Sequence, residues 1–210
     1  MKKIAFCLLL LTISTIASAA EDKIVLANVD KNLFRQKPAA VAPVVTEKYE
    51  YYEVRGNCEK DSQCRVRRKG IAWSDGKKYD SATSWHVTWK YDYNRTPDAC
   101  SADSFRVFVE ITFLYPRWVP GGDTTGDLTD RWEAYIKNLV THENGHRDLA
   151  VEAAAELARA VAELPPSPTC ADVDREVRAL SRVRMDMLND DEKEYDTATN
   201  HGYTQGAVFR

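Results

Sequence analysis

The sequence predicts an α+β fold in which a β-rich half gives way to two helices. Three observations carry that expectation. Strand-forming residues alternating with a period of two dominate between about residues 47 and 120. A Gly- and Pro-containing loop, PRWVPGGDTTGD at 116–127, marks a change of character. From there, apolar residues recur at three- and four-residue steps almost to the end of the chain.

The first residues stand apart from that fold. Lys2 and Lys3, an apolar run and the small residues Ala17, Ser18 and Ala19 make residues 1–19 an expected secretory signal peptide. The apolar run is short for a bilayer-spanning helix, so no stable membrane span is expected after cleavage. The mature protein is therefore expected outside the cytoplasm, periplasmic or secreted. Without Lys2 and Lys3 there remain 27 basic and 32 acidic residues, a net charge of −5. That balance argues against a nucleic-acid partner, which calls for a clustered basic surface. The short run RVRRKG at 65–70 reads as a solvated strand or turn. About 190 residues remain, enough for one domain with a real core.

Cys7 falls inside the signal, leaving Cys58, Cys64, Cys100 and Cys170. An even count in an exported chain favours disulfides, and no C-x₂-C spacing suggests a thiolate metal site. The favoured pairing is Cys58–Cys64, across the short loop NCEKDSQC, with Cys100–Cys170, which would tie the β region to the helical end.

Residues 20–46, with RQKPAAVAPVV and no sustained period, read as a surface leader or linker. The domain is expected over 47–210, β-rich to about 120 and helical from 127. In SWHVTWKYDY, Trp85, Val87, Trp89, Tyr91 and Tyr93 share one face, while His86, Thr88, Lys90 and Asp92 share the other. His86 on the polar face reads as an ordinary exposed histidine. In FRVFVEITF, Phe105, Val107, Val109, Ile111 and Phe113 form the apolar face. About four strands, mostly antiparallel, are expected. The first helix is expected to be capped by Asp127 or Thr129 and to run to ELPPSP, more than thirty residues and roughly 50 Å long. A second helix is expected over ADVDREVRALSRVRMDMLNDDEKEYD, residues 171–196.

The chemistry sits in HENGH, residues 142–146. Trp132, Ile136, Leu139, Leu149, Ala153, Leu157, Ala160 and Leu164 mark the buried stripe of the first helix, and His142 and His146 fill its missing steps. Four residues apart, both imidazoles leave the helix on one side, with Glu143 beside them. Burying two imidazoles and a carboxylate without partners costs several kcal/mol or more, and a bound cation removes that cost. H-E-x-x-H is the zinc-peptidase arrangement: two imidazole ligands, with the glutamate as general base for an attacking water. Zn²⁺ is the expected cofactor. Gly145 weakens the helix slightly and could leave room beside the metal.

A third ligand has to come from the tail, where His201, Asp196, Glu192, Glu194 and Asp191 are available. Continuing the stripe Val173, Val177, Leu180, Met187 and Leu188 brings Tyr195 to the inner face and leaves Asp196 about 100° round from it. Gly202 is a natural helix terminator, so His201 can turn inward where the helix stops. His201 is the favoured ligand, with Asp196 either orienting a ligand histidine or, if the helix breaks early, ligating in its place. Tyr195 and Tyr203 are candidate donors to the oxyanion formed during attack, set against ordinary packing roles for each.

Taken together, W…LVTHENGHRDLA, Cys170 at the start of the next helix and the closing YDTATNHGYTQGA resemble the bacterial predicted secreted zinc-dependent proteases, catalogued as a domain of unknown function, 922. The likeness runs from about YYEVRG to QGA, and HExxH followed by YDxxTxHG is its specific part. The longer third-histidine pattern of metzincins does not follow HENGH. The resemblance implies an exported zinc hydrolase. It carries metal and base roles onto His142, Glu143 and His146, and marks Tyr195, Asp196, Thr199, His201 and Gly202 as the second half of the site. The expected function is an exported zinc metallopeptidase acting on a peptide or protein substrate. Two rivals are a metal-binding but inactive envelope protein that binds a partner through its aromatic strands, and a zinc amidase or peptidase directed at peptidoglycan.

Overall fold

The computed structural model describes residues 29–35, 42–55, 71–72, 76, 78–121 and 126–209. The α+β expectation is met. Strand β1 (Val44–Arg55) is followed by the short β2 (Ile71–Ala72) and β3 (Lys78–Tyr79), then the long β4 (Ala82–Arg95) and β5 (Cys100–Val119). Helix α1 (Gly126–Ala162) and helix α2 (Cys170–Thr199) complete the domain, with a short 3-10 turn at Tyr203–Gln205. The three long strands form one sheet in the order β1-β5-β4, and β2 pairs with β3 in a separate ribbon.

Alternation decides which side of the sheet is covered. Val107, Val109, Ile111, Phe113 and Tyr115 of β5 are all buried, whereas Arg106 and Glu110 are exposed. The buried face meets Leu128, Trp132, Tyr135, Leu139, Ala150, Ala153 and Ala154 of α1 in one apolar cluster. On β4, His86, Thr88 and Lys90 face solvent, as their alternation predicted. The β4–β5 pairing is antiparallel, from Ala82 opposite Leu114 to Arg95 opposite Cys100. β1, in contrast, runs parallel to β5, from Val44 opposite Phe108 to Arg55 opposite Val119. Such a pairing is long-range and leaves no local mark in the sequence.

α1 is 37 residues long, about 55 Å, and starts a residue before Asp127, which lies in its first turn. α2 starts at Cys170, where Thr169 and Asp172 form a reciprocal capping box. α1 has the expected extent, whereas α2 is longer than the expected 171–196, because its ends are set by the capping box and by the left-handed turn that follows Thr199. The two run antiparallel, and Arg184, almost fully buried, donates from Nε to Glu156 at 2.6 Å and from Nη1 to Asp191 at 3.3 Å. Far from the HENGH segment, Leu157, Ala160 and Val161 pack against Val173, Val177 and Leu180. The Cys100–Cys170 disulfide closes that end as expected, with Cα atoms 5.1 Å apart. Cys58 and Cys64 lie outside the described residues, as do residues 1–19. The surface-leader reading of 20–46 does not hold for Lys31–Arg35, a 3-10 turn whose Phe34 is fully buried against the Leu157–Val173 cluster. A single aromatic without periodicity gives no advance sign that it will anchor. Arg159 secures the same turn by donating to the Leu33 carbonyl.

Candidate metal centre

HENGH lies midway along α1, and the last turns of α2 cross beside it. The helical step of four stacks the His142 and His146 rings 5.0 Å apart, edge to face. From α2, Asp196 Oδ1 stands 3.4 Å from His142 Nε2 and 3.2 Å from His146 Nε2. These three residues offer ligand atoms that all lie within 4.8 Å of one another, a group that could hold a metal ion. Ligands sharing one tetrahedral metal at ordinary bond lengths sit about 3.3 Å apart, so the donor set fits a small divalent cation.

The histidines are also oriented correctly. Gln205 Nε2 donates to the Tyr195 hydroxyl at 3.1 Å, which leaves Gln205 Oε1 to accept from His142 Nδ1 at 3.0 Å. With its proton on Nδ1, His142 presents the Nε2 lone pair to the cluster. On His146 the corresponding nitrogen faces Glu192 at ion-pair distance. Glu192 Oε1 accepts from Trp85 Nε1 at 2.8 Å and lies 3.7 Å from His146 Nδ1. The local charge favours a cation. Burial works against a proton on His146, but the Asp196 and Glu192 carboxylates outweigh it and lift its pKa to about 10. Burial alone would raise the Asp196 carboxyl, yet the His142 and His146 imidazoles beside it hold it well below the usual carboxylate range.

The second motif has a physical reason at each position. Tyr195 lies flat on His142, rings 5.3 Å apart, and its hydroxyl donates to the His142 carbonyl at 3.1 Å. A Cβ on Gly145 would overlap that hydroxyl, so glycine is what lets the Tyr195 ring reach α1. The room anticipated beside the metal is thus occupied by Tyr195. Thr199 accepts from the Gly202 N–H at 3.3 Å and so holds the turn that ends α2. Gly202, with φ of 78°, leaves space where a Cβ would come within 3.0 Å of the His142 ring.

Among the candidate ligands from the tail, the structure brings Asp196 into the three-atom group. His201 stands just outside it, with Nδ1 3.5 Å from the other carboxylate oxygen, Asp196 Oδ2. The reason is the length of α2. It continues to Thr199 and keeps Asp196 in helical register with the histidines, and His201 belongs to the following left-handed turn. Glu143 is buried beside the cluster. Its Oε1 accepts from Ser81 Oγ at 2.5 Å and its Oε2 from Thr83 Oγ1 at 2.6 Å. Tyr203 is half exposed and lines the cavity in front of the cluster. The cavity also takes in Tyr79, Ser81, Thr83, Glu192 and His201.

The model of a family described as "Bacterial protein of unknown function (DUF922)" matches residues 49–202. The chain belongs to this family. The matched span runs from β1 to the turn after α2, so it holds His142, Glu143, His146, Asp196 and His201 but stops short of Gln205. No curated protein and no solved structure matches the chain. Sequence reasoning missed Ser81, Thr83 and Gln205. All three are neutral polar residues, two of them some sixty positions from the glutamate they hold, and no spacing rule links a hydroxyl to a carboxylate that far away.

Proposed function

We propose that the His142–His146–Asp196 group is a zinc centre and that the protein is an exported metallopeptidase. The observation that carries this reading is two imidazole Nε2 atoms converging on one carboxylate oxygen at 3.4 and 3.2 Å, with the buried Glu143 carboxylate beside them. Two imidazoles and a carboxylate would also suit ferrous iron. Glu143 favours zinc, because a hydrolytic centre needs a base there. A zinc ion supplies Lewis acidity to the site, polarising the peptide carbonyl and acidifying a water molecule. Glu143 accepts the proton of the attacking water on a carboxylate oxygen and delivers it to the leaving amine as the C–N bond breaks. Ser81 and Thr83 fix the plane of that carboxylate, and each oxygen keeps a lone pair for the proton. Export accords with the Cys100–Cys170 disulfide, a bond of oxidising compartments.

A second reading has an observation of its own. The two hydroxyl bonds on Glu143 also suit a purely structural carboxylate, which would leave a metal-binding protein without activity. Elemental analysis of the exported protein, with peptide hydrolysis by wild type and Glu143→Gln, separates the two. About one zinc per chain in both, with hydrolysis only in wild type, is the expected result. Zinc without hydrolysis in wild type would select the inactive reading, and a folded wild type that takes up no zinc when supplied would exclude both.

A further inference from the structure

We propose that His201 and Tyr79 form a donor pair for the carbonyl oxygen of a bound peptide, and that neither is a metal ligand. This inference rests on the peptidase reading above. Three observations lead to it. First, the His142 and His146 Nε2 atoms face Asp196 Oδ1, whereas His201 Nδ1 addresses the other oxygen, Oδ2, and His201 is not one of the three residues whose ligand atoms cluster. Second, His201 Nε2 lies 3.5 Å from the Tyr79 hydroxyl, with the rings tilted 4.8 Å apart, and both side chains line the same cavity as the three ligands and Glu143. The ribbon carrying Tyr79 and the turn carrying His201 are 122 residues apart in the chain and meet at this cavity.

Third, the backbone holds His201 at an unusual place. Asn200 and His201 are left-handed, with φ of 48° and 50°, and Gly202 follows at 78°. Only glycine takes such a conformation freely, so an imidazole there is held against a backbone preference, which is common where a side chain has to be aimed. The His201 N–H to Asp196 carbonyl bond of 2.8 Å fixes the turn. With 39% of its side chain exposed, His201 remains open to a ligand.

A peptide carbonyl gains negative charge on oxygen as water adds to carbon, and fixed N–H and O–H donors stabilise that charge more than the ground state. The contact between Tyr79 and His201 is at the long limit for a hydrogen bond, as such contacts often are before substrate tightens them. No bond to either residue forms or breaks.

The test uses the full chain with Tyr79→Phe, His201→Ala and the double variant. Zinc content and zinc affinity should match wild type in all three. Each single change should lower kcat roughly 10- to 100-fold with KM changed less than about threefold, and weaken a phosphinic peptide, which mimics the tetrahedral addition product, by a similar factor. Loss of zinc from His201→Ala would make His201 a ligand and overturn the inference. So would unchanged kcat and phosphinate affinity in both single variants. Wild type that binds zinc and cleaves no peptide fails earlier, at the peptidase reading, and takes the inference with it; a failure confined to the variants leaves that reading standing.

Discussion

At one end of the α1–α2 hairpin, Phe34, Leu157, Ala160, Val161, Val173 and Val177 pack around the Cys100–Cys170 disulfide. At the other, His142, Glu143, Ser81, Gln205 and Tyr195 are joined by directional hydrogen bonds around Asp196. The first end draws its stability from non-directional burial and a covalent link, so substitutions there act on the whole fold. The second holds buried polar groups whose cost is met only while every partner is in place. The covalent anchor and the polar cluster therefore lie apart along one helix pair, and their substitutions should differ most in zinc binding and catalysis.

The sharpest break in that comparison is Glu143→Gln, expected to lower kcat by about 10²- to 10⁴-fold with thermal stability close to wild type. A parallel loss of fold would show Glu143 to be a structural group. At the opposite end, Cys100→Ser releases a loop spanning a sequence separation of 70 and should cost about 4 kcal/mol in denaturant unfolding, with zinc still bound by the folded fraction. Next comes Gly145→Ala, whose methyl group displaces Tyr195 from its seat on α1. It should destabilise by about 1–3 kcal/mol and, unlike an ordinary helix glycine, should not be stabilising. Gln205→Ala should weaken zinc about 10- to 100-fold in a chelator competition and, by leaving the buried His142 N–H without its acceptor, cost about 1 kcal/mol in unfolding.

The smallest effect is expected at Asp174, where β4 meets α2. Burial pushes its carboxyl up, but hydrogen bonds from the Tyr91 and Tyr93 hydroxyls outweigh it and hold the pKa below its ordinary value. A lowered folded-state pKa stabilises above the unfolded value, near 4, and that contribution disappears as pH falls through the folded one. Asp174→Asn should therefore cost under about 1 kcal/mol at pH 7 and progressively less toward pH 3, measured by thermal unfolding at each pH.

What could be read in the sequence was whatever has a short period. The alternation in β4 and β5 and the four-residue step between His142 and His146 placed their side chains correctly, because each is fixed by local geometry. The parallel partnership of β1 and β5 was not legible, since the strands are joined through three others. Neither was the division of labour between Tyr195 and Asp196. Helical periodicity gave their 100° offset, but Gly145 decides that Tyr195 wedges against α1, and this leaves the next residue round, Asp196, in line with both imidazoles. His201 drew attention as a histidine near a glycine, and its actual place depends on where α2 stops, the least legible feature of any helix.

The disulfide also gives the chain a topology. Cys100 and Cys170 bracket α1, so His142, Glu143 and His146 ride on a closed ring, whereas Asp196 belongs to an open tail. A single cut anywhere inside the ring leaves both pieces joined, with His142, His146 and Asp196 on one covalent molecule. A single cut between Cys170 and Asp196 sets the carboxylate free from the histidines. Proteolytic nicks between Cys100 and Cys170 thus leave the cluster on one molecule, whereas a nick between Cys170 and Asp196 takes it apart.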